Sequence, residues 1–81
     1  MIAAQDERDW HLAQFARGGW QAHRYGGIKK WDAHLARHLK DGHLEQDENV
    51  PGLFRITDKG VNHVLDTKYA HFTRSMKRSG T

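Results

Sequence analysis

The residues best suited to chemistry cluster in one segment. His34 and His38 stand four apart, with His43 and Asp47 following. On a helix that spacing puts two imidazoles on one face, where they could share a zinc ion. A closed site takes four ligands, however, and the chain contains no cysteine. A glycine and an expected strand also keep His43 and Asp47 from converging, so no metal is expected. Asp47 and Glu48 are adjacent in a turn, which suits solvation better than paired acid–base work. Gly26-Gly27-Ile28-Lys29-Lys30 superficially resembles a phosphate loop, yet it lacks the spacing and the Ser/Thr after lysine. No nucleophile elbow, HExxH pair or Walker A loop occurs. An enzyme is therefore not expected, nor is a cofactor. Trp10, Trp20 and Trp31 could serve as stacking platforms for unpaired bases. Burial in a small core is the more economical use of tryptophan, and it is expected for Trp20 and Trp31, with Trp10 open between the two uses.

What remains is charge. Thirteen Lys/Arg oppose ten Asp/Glu, for a net charge of +3 with seven histidines uncounted, and the isoelectric point is near 9.5. The mean hides a strong asymmetry. Residues 11–40 carry six cations (Arg17, Arg24, Lys29, Lys30, Arg37 and Lys40) and one acid, Asp32. Residues 41–66 carry six acids and two cations, and from Thr67 onward there are four cations and no acid. Basic segments of this kind attract polyanions. The basic tail from Thr73 to Thr81 suits either a helix C-terminus or a phosphate-binding arm, and within it 77–81 reads as flexible.

The elements that must position these groups follow from the punctuation. Gly18-Gly19, Gly26-Gly27 and Pro51 divide the chain. A first helix spans about Gln5 to Arg17, with Asp6, Glu7 and Asp9 where the macrodipole favours acids. Trp20 to Tyr25 is expected as a short second helix. In a third helix, Ile28 to Asp41, a 100° step places Ile28, Trp31, Leu35 and Leu39 on one stripe. Lys29, Lys30, Ala33, Ala36, Arg37 and Lys40 fall on nearly the opposite side. Gly42 stands where a C′ glycine belongs. Leu44 to Gln46 and Leu53 to Thr57 read as strands of a hairpin, with Pro51-Gly52 central in a type II turn. Thr57 caps a long last helix on which Val61, Val64, Leu65, Tyr69, Phe72 and Met76 form one stripe. The fold class is mainly α with a small β-hairpin.

Leu35-Ala36-Arg37-His38-Leu39-Lys40-Asp41-Gly42-His43-Leu44-Glu45 looks like the join between a recognition helix and a first wing strand. Phe54-Arg55-Ile56-Thr57-Asp58-Lys59-Gly60 resembles the strand-to-helix step of MarR-like and PadR-like bacterial regulators. The resemblance to a winged helix-turn-helix domain covers roughly Trp10 to Leu65. It implies three helices, a two-stranded wing and a closing helix, with the third helix entering a DNA major groove. Lys29, Lys30, Arg37 and Lys40 would then reach phosphates or guanine edges, and Ala33 and Ala36 would let the helix axis approach the bases. His34, beside the basic face, would add a contact that strengthens below a pH of about 6.5. Arg24 and the wing residue Arg55 complete the expected interface with double-stranded DNA. Asp47-Glu48-Asn49 at the wing tip departs from the pattern, because acids there repel phosphate. An acidic wing fits a protein-binding winged helix, an inhibitor or adaptor, as the alternative. The long apolar stripe of the last helix suggests a two-fold homodimer.

Eighty-one residues and 9.4 kDa hold one domain, which at this size buries only about 60–65% of its unfolded surface. Mean hydropathy is −0.89. No run is long enough to span a membrane, and the start lacks the pattern of a secretory signal. A cytoplasmic location is expected.

Overall fold

The computed structural model describes residues 4–73. Its elements run α1 (Ala4–Ala13), β1 (Gln21–Ala22), α2 (Lys29–Lys40), β2 (Leu44–Gln46), β3 (Leu53–Ile56) and α3 (Asp58–Leu65), closing on a 3₁₀ turn, Ala70–Thr73. This is a small α+β arrangement of three helices and one antiparallel sheet, ordered β1-β3-β2. The basic segment 77–81 and Met76 lie outside the described residues.

α1 opens with Asp6 and Glu7 in its first turn. Beyond Ala13 the chain tightens into successive i→i+3 turns, Phe15 N–H to Leu12 O at 3.0 Å and Ala16 N–H to Ala13 O at 3.0 Å. Gly18 and Gly19 then take φ of +80° and +76°, a region that costs side-chain-bearing residues dearly. The expected helix over Trp20–Tyr25 is absent. These six residues are too few to nucleate one in isolation, and the two glycines turn the chain so that Gln21 and Ala22 pair with Phe54 and Leu53 on the free edge of β3. The Gln21 amide secures the turn by donating to Phe15 O and Gly18 O. A single helix therefore stands between β1 and β2, the sheet has three strands rather than two, and Trp20 is 40% exposed instead of anchoring the core.

α2 begins at Lys29 with Ile28 as its extended N-cap residue. That position takes Ile28 off the helical wheel and leaves it 51% exposed, against its expected place on the core stripe. Leu35 and Leu39 do pack on the core. The helix ends as Gly42 predicts: with φ +77° it donates to Leu39 O, and His43 N–H reaches back to His38 O, the paired bonds of a Schellman cap. β2 and β3 pair Leu44 with Ile56, Glu45 with Arg55 and Gln46 with Phe54. The connecting turn closes on Leu53 N–H to Val50 O, but Gly52 lacks the positive φ of a type II turn.

Thr57 caps α3, its hydroxyl oxygen accepting from Gly60 N–H and donating to Gly42 O. The expected long helix stops at Leu65. The Thr67 hydroxyl donates to Val64 O at 2.7 Å and accepts from Tyr69 N–H at 3.1 Å, and this competition for backbone groups replaces further helix with turns. Tyr69 folds onto the core while Phe72 stays 37% exposed, so the straight apolar stripe behind the dimer expectation is broken. The core comprises Leu12, Ala13, Phe15, Ala16, Leu44, Phe54, Ile56, Val61 and Val64. No described helix is long and apolar enough to cross a membrane.

Candidate functional site

The outer face of α2 carries the cations that the helical spacing placed there. Lys29, Lys30, Ala33, Ala36, Arg37 and Lys40 are all exposed. Ala33, Ala36, Arg37 and Lys40, with Arg8 of α1 and His34, line a shallow groove on this face, and Lys29 and Lys30 lie outside its lining. The two alanines keep its floor low. Arg37 Nε donates to Asp41 Oδ2 at 3.0 Å, and Lys30 Nζ lies 3.4 Å from Glu7 Oε1. These pairs are exposed and worth little. Among the described residues, Lys29 and Lys40 enter no ion pair.

The remaining expected site residues fall elsewhere. Arg24 is exposed on the turn between β1 and α2. Arg55 is engaged within the sheet: it pairs with Glu45 and its guanidinium lies 4.4 Å from the Trp20 ring centroid. His34 turns inward, its side chain 11% exposed, with Nε2 at 3.1 Å from Glu7 Oε1. That hydrogen bond, aided by Lys30, holds the Glu7 carboxyl below the usual carboxylate range against the opposing effect of burial.

Sequence reasoning missed a buried chain of imidazoles. His11 and His38 are 0% and 1% exposed. His11 Nε2 lies 3.0 Å from His23 Nε2, and His11 Nδ1 lies 3.1 Å from His38 Nε2. His23 Nδ1 in turn faces Asp32 Oδ1 at 3.6 Å. One proton arrangement faces every N–H toward an acceptor: His38 donates to His11, His11 to His23, and the His23 N–H is directed at the Asp32 carboxylate across 3.6 Å. It leaves only a lone pair on His38 Nδ1, the atom without a partner. The reverse arrangement would strand a buried N–H donor, the costlier defect. Burial pushes His11 down to about 4 and His38 to about 3, with neighbouring imidazoles adding to the effect. The chain is therefore neutral at physiological pH, a packed polar layer between α1 and α2. The signal for His38 was its spacing, seven residues after Trp31 and three after Leu35, on the inner side of α2. A second pair, His43 and His63, stacks at 4.6 Å, and His63 Nε2 meets Asp9 Oδ1 at 2.8 Å.

His34 and His38 point to different partners, and no group of three or more metal-ligating side chains converges among the described residues. Comparison with protein-family models, curated proteins and solved structures found no match.

Proposed function

We propose that this chain binds double-stranded DNA through the outer face of α2 and acts as a regulator of transcription. The observation that carries the reading is the composition of that face: exposed Lys29, Arg37 and Lys40 around Ala33 and Ala36, opposite the inward Leu35 and His38. Cations neutralise phosphates and release counterions, and small residues admit a helix to the base edges. The helix so equipped directly precedes the β2–β3 hairpin, the place of the recognition helix in winged-helix proteins. The finer fold reading is accordingly a winged helix in which α2 alone, not a helix-turn-helix pair, stands between β1 and the hairpin.

The test is fluorescence anisotropy on a pool of random duplexes across a salt series. With Lys29, Lys30, Arg37 and Lys40 on phosphates, log K falls against log salt with a slope of about −3.6. Lys29→Ala with Lys40→Ala flattens the slope by nearly two units. An unchanged slope, or no retention at low salt, overturns the reading. One observation favours a protein-binding use instead: exposed Trp20 lies beside Arg55 with Glu45, Asp47 and Glu48 around it, an aromatic and arginine pairing typical of interface anchors.

A further inference from the structure

Beside the basic face, three aromatic rings and a carboxylate line a half-open cleft of about 290 Å³. Its walls are Glu7 and Trp10 of α1, Trp31 of α2, and Tyr69 from the turn after α3. Trp10 and Trp31 are half-buried, their ring centroids 5.7 Å apart and their planes inclined by 50°. They form a corner, not a stack. Tyr25 packs on both, 5.0 Å from Trp31 and 6.1 Å from Trp10, and Tyr69 is fixed by its contact with the core. The walls are thus set by the fold.

The chain's own side chains show what the cleft attracts. Lys30 Nζ lies 4.9 Å from the Trp31 centroid and 3.4 Å from Glu7 Oε1, an ammonium held by a ring face and a carboxylate together. On the Tyr69 wall, Lys68 Nζ lies 5.6 Å from the ring and 3.0 Å from Asp6 Oδ2. Neither lysine lines the cleft, and both stay exposed, at 57% and 62%. A primary ammonium keeps its water and its three donors, and a cleft with one carboxylate and three apolar faces cannot replace them. A methylated ammonium has no such need: it sheds water cheaply, buries its methyl groups on the rings, and keeps the charge that the ring faces attract. Both described contacts of Glu7, with His34 and with Lys30, fall on Oε1, which leaves Oε2 outside them.

We propose that the Trp10–Trp31–Tyr69 cleft, with Glu7 at its rim, binds a quaternary ammonium head group. This site shares Lys30 with the basic face but rests on no part of the DNA reading and can stand or fall without it.

Tryptophan fluorescence of the full chain, titrated with choline and with its uncharged carbon isostere carrying a tert-butyl group, tests the proposal directly. Choline quenches saturably, and the isostere binds about tenfold more weakly. Lys30→Ala tightens choline binding, because it removes the competing internal ammonium. Glu7→Gln and Tyr69→Leu each weaken it several-fold, with far-ultraviolet circular dichroism confirming that Tyr69→Leu stays folded. Titration with N-acetyl trimethyl-lysine in place of choline distinguishes a free small ligand from a modified protein side chain. Equal binding of choline and isostere, weaker choline binding by Lys30→Ala, or no saturation at millimolar choline would each overturn the assignment.

Discussion

A side chain at position 60 would occupy the space where α3 crosses the hairpin. A Cβ there collides with His43 O and with Ile56 Cγ1, while the Gly60 N–H is the one that Thr57 caps. The Thr-x-x-Gly spacing is therefore a steric and capping requirement that the sequence displays openly. Gly60→Ala should destabilise the fold by about 1–3 kcal/mol through overpacking, read as a lower urea midpoint at constant m-value; an unchanged midpoint would show that the crossing yields without cost. Other residues were less legible. Ile28 has the right period for the core, but periodicity assumes helical geometry and an N-cap residue does not have it. His11 and His38 occupy inner positions on α1 and α2, yet histidine counts as polar until a partner is known, and their partners are each other. Glu7 belongs with them, since its role is set by Lys30 and His34, 23 and 27 residues away in the chain.

The local signals at the end of α2 and in the hairpin were legible, whereas the tertiary pairing of β1 was not, and neither was the local stop of α3 set by the Thr67 hydroxyl. The end of α2 at Gly42 follows from its own backbone bonds, and the β2–β3 hairpin from alternation and turn residues. The basic face of α2 depends only on the 100° step, so the order of residues alone reveals it. The segment 20–25 depends instead on β3, which is some thirty residues distant, and the pairing overrode a weak helical tendency. The glycine turn before it is open to measurement. Gly19 has φ +76° and open space within 4 Å of where a Cβ would stand, whereas Gly26 has no positive φ and only ordinary contacts at 3.5 Å and beyond. Gly19→Ala should cost roughly 1–2 kcal/mol from backbone strain alone. Gly26→Ala should lie within about 1 kcal/mol of the parent, or stabilise it by restricting the unfolded chain. Equal urea midpoints for the two variants would mean that the left-handed turn does not direct the chain into β1. The dimer expectation belongs to this scale too: without a continuous helix beyond Leu65, a two-fold pairing would rest on Phe72 and its surroundings rather than on a sixteen-residue stripe.

For the molecule as a whole, the interior histidines tie stability to pH. In the unfolded chain an imidazole titrates near 6.5, while His11 is held at about 4 and His38 at about 3 by burial. Burial also lowers His23 and His43. Between those folded values and 6.5 the unfolded state binds more protons than the folded one, so stability rises with pH across that window. Their full contribution is present above 6.5 and is lost as pH falls toward 4. Each deeply buried ring changes stability by roughly 1 kcal/mol per pH unit there. Glu7 acts lower: its depressed carboxyl contributes fully above the ordinary carboxylate value of 4.5 and loses that contribution as pH falls from there through its lower folded value, so the window from 6.5 to about 4.5 belongs to the histidines. Against a total stability on the order of 5–10 kcal/mol, two such groups acting over two pH units remove much of the fold. The melting temperature should fall steeply from pH 6.5 to 4.5 and level off above 7. His38→Leu places an apolar side chain in the same interior position and removes one titrating ring, so it should lower the slope of stability against pH by roughly 1 kcal/mol per unit while leaving the protein folded at pH 7. Urea titrations at half-unit pH steps measure both slopes. A wild type whose stability is flat between pH 4.5 and 6.5, or a His38→Leu variant with the parent slope, would mean that the imidazole chain is not neutral inside the fold.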